Sequence, residues 1–247
     1  MPTTMCHPFV QAVEDSCLRV LRILCPAHFL GYRWPRVQEA LAICYVELYN
    51  GLGGDHMAEQ PTHPRQGEYT YEDYLQLPEE PGYRFEILQG FLVREPSPSV
   101  CHQRILRELV RQLLSFFDDF DPAGELFFAP LDLTLTRSNV LQPDILFVSG
   151  NRQEIILQGR IDGPCDLVVE ILSPTTQSRD RIYKTEIYCQ AGIPHYWIVD
   201  PEENTLEAFV LKADTYALIA TGKPGERFCH PDFPGMELDM DRVFHQP

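Results

Sequence analysis

Three stretches of the chain carry the residue types that hydrolysis of a phosphodiester with a hard metal ion requires. Gln142-Pro143-Asp144 opens an apolar strand, Glu170 sits inside the run Leu167–Leu172, and Lys184 follows on a helix. Carboxylates hold Mg²⁺ or Mn²⁺ through oxygen, and a nearby ammonium polarises the attacking water or offsets charge developing on phosphorus. If the two strands are neighbours, Asp144 and Glu170 converge on one cation, and the backbone carbonyl of Ile171 completes the protein ligands. Glu86, between Phe85 and Ile87, is a further strand carboxylate that can bind a second ion or orient water.

Each of these residues also has a plainer reading. Asp144, directly after a proline, fits an Asx-type turn at the strand start. Glu170 interrupts an almost continuously apolar run, which marks a strand buried on both faces. A carboxylate there costs several kcal/mol unless it is paired or binds a metal, so a salt bridge to Lys184 competes with a metal site. Lys184 also stands one helical turn after Asp180, and an exposed i,i+4 ion pair is worth only a few tenths of a kcal/mol. Glu86 can equally face solvent. His102, early in a long helix, either contacts phosphate or serves as an acid, or is simply a helix-face or capping histidine. Ser173 lacks the glycines of a nucleophile elbow, and no Gly-rich phosphate loop or dinucleotide fingerprint is present.

The elements that must position these groups read as α/β from Tyr69 onward. Thr70 with Asp73 caps a short helix through Leu77. Arg84–Leu88 and Phe91–Arg94 flank Gln89-Gly90 as a hairpin. Ser99 caps a long helix to about Phe117, with Ile105, Leu109, Leu113 and Phe116 as its apolar stripe and Asp121-Pro122 closing it. Strands are expected over Glu125–Phe128, Leu131–Thr136 and Ile145–Ser149. Ser178 caps the next helix, which ends at Gly192. His195–Val199 and Leu206–Leu211 flank a turn, and the C-terminal part reads as antiparallel edge strands and loops.

Upstream, Val10–Leu24 and Val37–Leu48 have helical apolar spacing, and a Gly-, Pro- and His-rich stretch separates them from the rest. The expected organisation is an extension over residues 1–56, helical or from a mis-called start, a linker over 57–68 and one domain over 69–247. At 247 residues, one sizeable core fits. No apolar run is long enough to cross a bilayer, and no basic cluster precedes an apolar core at the N-terminus. Four of the eight cysteines lie in the first 56 residues, with no Cys-x-x-Cys pair. Free thiols in a cytoplasmic protein are the expectation. The formal net charge of −16 repels phosphate at long range. Arg104, Arg107 and Arg111, at helical spacing, form either a local basic patch or a solvated face.

Several of these stretches together resemble the Uma-two family of restriction-endonuclease-like proteins, in the PD-(D/E)xK nuclease superfamily. They are Phe85-Glu86-Ile87-Leu88-Gln89-Gly90, His102 after Pro96 to Pro98, Gln142-Pro143-Asp144, Val168-Val169-Glu170-Ile171-Leu172-Ser173-Pro174, Asp180 with Lys184, and Ala191 through Pro201. The likeness spans roughly Tyr69 to Phe244 and none of residues 1–66. It implies a restriction-endonuclease-like α/β fold, a mixed central sheet flanked by helices, with the extra C-terminal antiparallel strands appended. It implies Mg²⁺-dependent cleavage with Asp144 and Glu170 as metal carboxylates, Glu86 as an accessory acid and a homodimer. One departure stands out. The superfamily places a lysine two residues after the second carboxylate, where this chain has Leu172. The resemblance assigns that role to Lys184 on the following helix.

The reading that results is a Mg²⁺- or Mn²⁺-dependent endonuclease acting on DNA, with nucleic acid rather than membrane as partner. Asp144, Glu170 and the Ile171 carbonyl bind the ion, Lys184 assists the water and Glu86 supports the site. The alternative is a catalytically inactive nuclease-fold module that binds nucleic acid or protein, which the displaced lysine and the acidic surface favour. A third is a phosphodiesterase for a small nucleotide.

Overall fold

The computed structural model describes residues 64–173 and 180–245. The expected extension over residues 1–56, most of the 57–68 linker and the Ser178 cap lie outside them. After a one-turn helix α1 (Tyr71–Tyr74), the chain forms β1 (Tyr83–Leu88), β2 (Phe91–Pro96) and the long helix α2 (Val100–Phe120). Strands β3 (Glu125–Phe128), β4 (Asp132–Thr136), β5 (Asn139–Leu141) and β6 (Ile145–Val148) follow, then short β7 (Ile156–Leu157) and β8 (Arg160–Asp162) before β9 (Leu167–Ile171). A π-helical turn over Asp180–Lys184 runs into α3 (Thr185–Ala191). Next come β10 (His195–Asp200), β11 (Thr205–Lys212), β12 (Thr215–Gly222), the hairpin β13 (Arg227–Cys229) and β14 (Glu237–Asp239), and α4 (Met240–Val243).

Among the described residues the strands sort into two six-stranded sheets, in the orders β2-β1-β5-β4-β8-β7 and β12-β11-β10-β9-β6-β3, with β13-β14 apart. Both large sheets are mixed: β9 runs parallel to β10 and antiparallel to β6, and β4 runs parallel to β8. The β9–β10 crossover contains α3, as a parallel connection requires.

All five residues of β9 are buried, as its apolar run predicts. Its two faces meet different layers. Leu167, Val169 and Ile171 join Ile105, Leu109, Leu113 and Phe117 of α2 and the C-terminal Phe228, Leu238 and Met240. Val168 and Leu172 join Ile187 and Tyr188 of α3 and Leu88, Leu133 and Ile161 of the other sheet. The second sheet is thereby covered on both sides along β9, and a polar side chain there is largely removed from bulk water.

Local chemistry accounts for the ends of these elements. Asp73 accepts hydrogen bonds from the Thr70 N–H and hydroxyl. The helix nevertheless closes after one turn, because turn hydrogen bonds from the Gln76 and Leu77 amides replace helical ones before Pro78. Gln89 and Gly90 both have positive φ (52° and 80°), the signature of a type I′ turn that matches the twist of β1 and β2. A Cβ on Gly90 would lie 2.4 Å from the Gly67 carbonyl oxygen, so only glycine fits. Ser99 Oγ accepts the His102 N–H at 3.2 Å to start α2. Gly192, at φ 80°, caps α3 in the left-handed conformation. Among the described residues, no helix is long and apolar enough to cross a membrane.

Because Leu109 is fully buried on the face of α2 that meets β9, Leu109→Ala should destabilise the domain by about 2–5 kcal/mol through lost transfer energy and a residual cavity. Urea denaturation is the measurement, and a loss below about 1 kcal/mol would mean that this face is not packed as described.

Candidate active site

Gln142-Pro143-Asp144 is the bend by which the chain passes from β5 in one sheet to β6 in the other. Proline suits it, because no ladder hydrogen bond is required there. Ile145 stands opposite Val169 across β6 and β9, so one further step in register carries Asp144 beside Glu170. Glu86 arrives from β1, and the Gln142 N–H donates to its Oε1 at 2.7 Å. Lys184 closes the π-helical turn, a rare geometry that widens the helix by one residue and recurs at functional sites. The four residues are 0% (Glu86), 2% (Asp144), 3% (Glu170) and 2% (Lys184) exposed.

Lys184 Nζ lies 3.1 Å from Glu86 Oε1 and 3.2 and 3.3 Å from Glu170 Oε1 and Oε2. Tyr188, one turn further on α3, donates its hydroxyl to Glu170 Oε1 at 2.6 Å. Burial, with Glu170 and Glu86 beside it, raises the Tyr188 phenol well above its ordinary value, so it remains a donor. Asp144 has other partners. Its Oδ2 accepts the Ile171 N–H at 2.8 Å and lies 3.1 Å from His102 Nε2, and its Oδ1 is 3.7 Å from the Arg84 guanidinium. Burial alone would raise the Asp144 pKa. His102, Arg84 and the Ile171 amide outweigh it and hold the carboxyl below its ordinary value. Burial likewise opposes the charge on Arg84, but Asp144, Glu86 and Glu170 raise its pKa overall.

The four expected site residues therefore meet at one place, on elements from both sheets. Glu86 faces the interior rather than solvent. Glu170 and Lys184 adopt the buried ion pair that was the alternative to a metal ligand, and Asp144 makes no Asx turn in the observed hydrogen bonds. The Asp180 side chain lies outside the described residues. Ile171 presents its amide to Asp144. Leu172, where the superfamily lysine would stand, is buried among Ile187, Tyr188 and Tyr196.

Three participants were not assigned by sequence. Arg84 is signalled only by its i,i+2 spacing from Glu86, which puts both on one strand face. Tyr188 is spaced one turn after Lys184. The Gln142 amide has no side-chain signal at all. Arg107 and Arg111 both pair with the Glu108 carboxylate, which lessens the free positive charge of that helix face.

A family model described as "Uma2: Putative restriction endonuclease" matches residues 71–241. The chain belongs to this family. The matched span holds Glu86, Asp144, Glu170 and Lys184. Among solved structures, a "putative nuclease belonging to DUF820" from Anabaena variabilis superposes with a TM-score of 0.57 at 22% identity. The alignment covers 71% of this chain and 97% of that one, and it shows that the two share a fold. No curated protein sequence matches the chain.

Two outcomes follow for this Uma2-family site. Lys184→Met leaves Glu86 and Glu170 without the ammonium they share, and breaking such a buried pair costs about 3–5 kcal/mol. Restoring neutrality with Glu170→Gln in the same chain should recover part of that loss in urea denaturation. The depressed Asp144 pKa stabilises the fold above the ordinary value of 3.8, and this contribution disappears as the pH falls through the folded value. A profile of unfolding midpoint against pH, from about 6 down to 3, should be flatter for Asp144→Asn than for the wild type.

Proposed function

We propose that this domain is a Mg²⁺- or Mn²⁺-dependent endonuclease acting on DNA, with Asp144, Glu170, Glu86 and Lys184 as its working residues. The observation that carries the reading is a pair of buried carboxylate oxygens, Asp144 Oδ1 and Glu86 Oε2, that have no hydrogen-bond partner among the described residues. An oxygen left so costs about 1–3 kcal/mol, more if charged, and a hard cation is the ligand that would offset it. Three carboxylates with only oxygen donors suit Mg²⁺ or Mn²⁺ rather than a softer metal. Formally, three negative groups face the two cations Lys184 and Arg84, leaving charge for a divalent ion to balance. Asp144 and Glu170, with the Ile171 carbonyl, would hold it. When bound, the ion polarises a phosphoryl oxygen and acidifies a coordinated water.

The chain's own groups have separable tasks. Lys184 holds Glu86 and Glu170 together, and its ammonium can donate to the attacking water or to the charge gathering on phosphorus. Tyr188 and His102 are positioning residues, fixing Glu170 and Asp144 respectively. Arg84, whose side chain is 22% exposed, is the cation nearest solvent and suits an incoming phosphate. The net charge of −16 means that long-range attraction does not assist DNA binding, so recognition falls to these local cations and the ion. One observation favours the inactive-module reading: both oxygens of Glu170 lie within reach of Lys184.

Incubation with supercoiled plasmid and with linear DNA in Mg²⁺ or Mn²⁺ distinguishes the two. The wild type should cleave, a chelator should stop it, and Glu170→Gln or Asp144→Asn should slow it by at least about 100-fold, the scale on which loss of transition-state stabilisation is felt. Undiminished cleavage by folded Glu170→Gln would overturn the site assignment, and DNA binding without cleavage by the wild type would establish the inactive module.

A further inference from the structure

A second cluster lies on the other face of the β9–β10 layer. His195 opens β10, with its side chain on the same face as Trp197 and Val199. His230 and Asp232 come from the loop that joins β13 to β14. The two imidazoles pack edge to face at 5.2 Å between centroids. His230 stacks on Trp197 at 5.4 Å, and Phe233 lies against both rings at 4.6 and 4.7 Å. His230 is 3% exposed, His195 is half-buried and Asp232 is at the surface.

Two ring nitrogens in this apolar box, His195 Nδ1 and His230 Nε2, are buried with no hydrogen-bond partner among the described residues. Histidine buried only for packing usually spends its polar atoms on backbone or water. Here, in addition, one imidazole nitrogen of each histidine and a carboxylate oxygen of Asp232 all lie within 4.8 Å of one another. Two imidazoles and a carboxylate are a three-ligand set for a borderline divalent metal, with water in the fourth position. A hard ion such as Mg²⁺ has little use for such nitrogens.

We propose that His195, His230 and Asp232 form a site for Zn²⁺ or a similar transition-metal ion, separate from the carboxylate cluster. Its effect is mechanical: the ion fastens the β13–β14 hairpin to the first residue of β10. One adjustment is required. The Asp232 N–H donates to His230 Nδ1 at 3.1 Å, so the neutral ring carries its proton on Nε2. Coordination through Nε2 moves that proton to Nδ1 and turns the Asp232 amide outward, which an exposed turn permits.

The test uses the full chain, stripped with chelator and returned to excess Mg²⁺ so that oxygen-only sites are occupied, then titrated with Co²⁺ and with Zn²⁺. Visible absorption of Co²⁺ and the thermal midpoint are the readouts. One equivalent should bind, without the thiolate charge-transfer band that cysteine ligation would give, and the midpoint should rise with metal concentration. Asp144→Asn, whatever its own midpoint, should take up one equivalent of Co²⁺ with the same spectrum as the wild type. His195→Gln should abolish binding, and Asp232→Ala, a surface change that leaves the aromatic box intact, should weaken it by about tenfold or more, since even outer-shell partners carry that much. Absence of saturable Co²⁺ uptake by the folded wild type, a thiolate band, or equal uptake by His195→Gln and Asp232→Ala would each overturn the proposal.

Discussion

Three carboxylates removed from water must be compensated, and the architecture around the junction of the two sheets is organised by that demand. Each buried carboxylate costs several kcal/mol before its partners are counted. Lys184 answers for two of them, bridging Glu86 and Glu170. Asp144 relies on the Ile171 amide, His102 and Arg84. These partners come from β1, α2, β9 and the π-helical turn, so the cluster is satisfied only when all four elements and the β5–β6 bend are in place. A buried ionic group is a poor source of net stability. Its presence in a layer otherwise filled by Leu146, Val168, Tyr188 and Ile198 is therefore not accounted for by stability, which is what the proposed function addresses.

The position of the lysine follows from the same packing. At Leu172, two residues after Glu170, a lysine would have to enter the apolar cluster beneath α3. Lys184 instead brings its ammonium to Glu170 from the helical side, where Tyr188 and Glu86 complete the network. For a charge that serves a buried carboxylate, the location of the nitrogen matters and its place in the sequence does not. The unusual turn over Asp180–Lys184 is consistent with this, because a widened turn changes where the side chain at its end projects.

Much of the candidate cluster was legible because polar residues stand out against strong patterns. Glu170 interrupts an apolar run, Asp144 follows a proline at a strand mouth, Ser99 starts its helix and Gly192 ends its own where expected. The division into two sheets was not legible: β5, β7 and β8 have two or three residues each, too short for a periodicity of two to register. Arg84 escaped notice because a strand arginine reads as surface, and only the fold brings Asp144 within its reach. His195 stands 35 residues before His230 and 37 before Asp232, with no metal-type spacing across the two segments, so nothing short of the β10–hairpin packing unites them.

The central claim is that the buried carboxylates form a divalent-cation site. Calorimetric titration of Mg²⁺ and Mn²⁺ into the wild type, Asp144→Asn and His195→Gln tests it most directly. The claim predicts saturable binding in the wild type and in His195→Gln, and its loss in a folded Asp144→Asn protein. No binding to the wild type, or binding undiminished in Asp144→Asn, would contradict it.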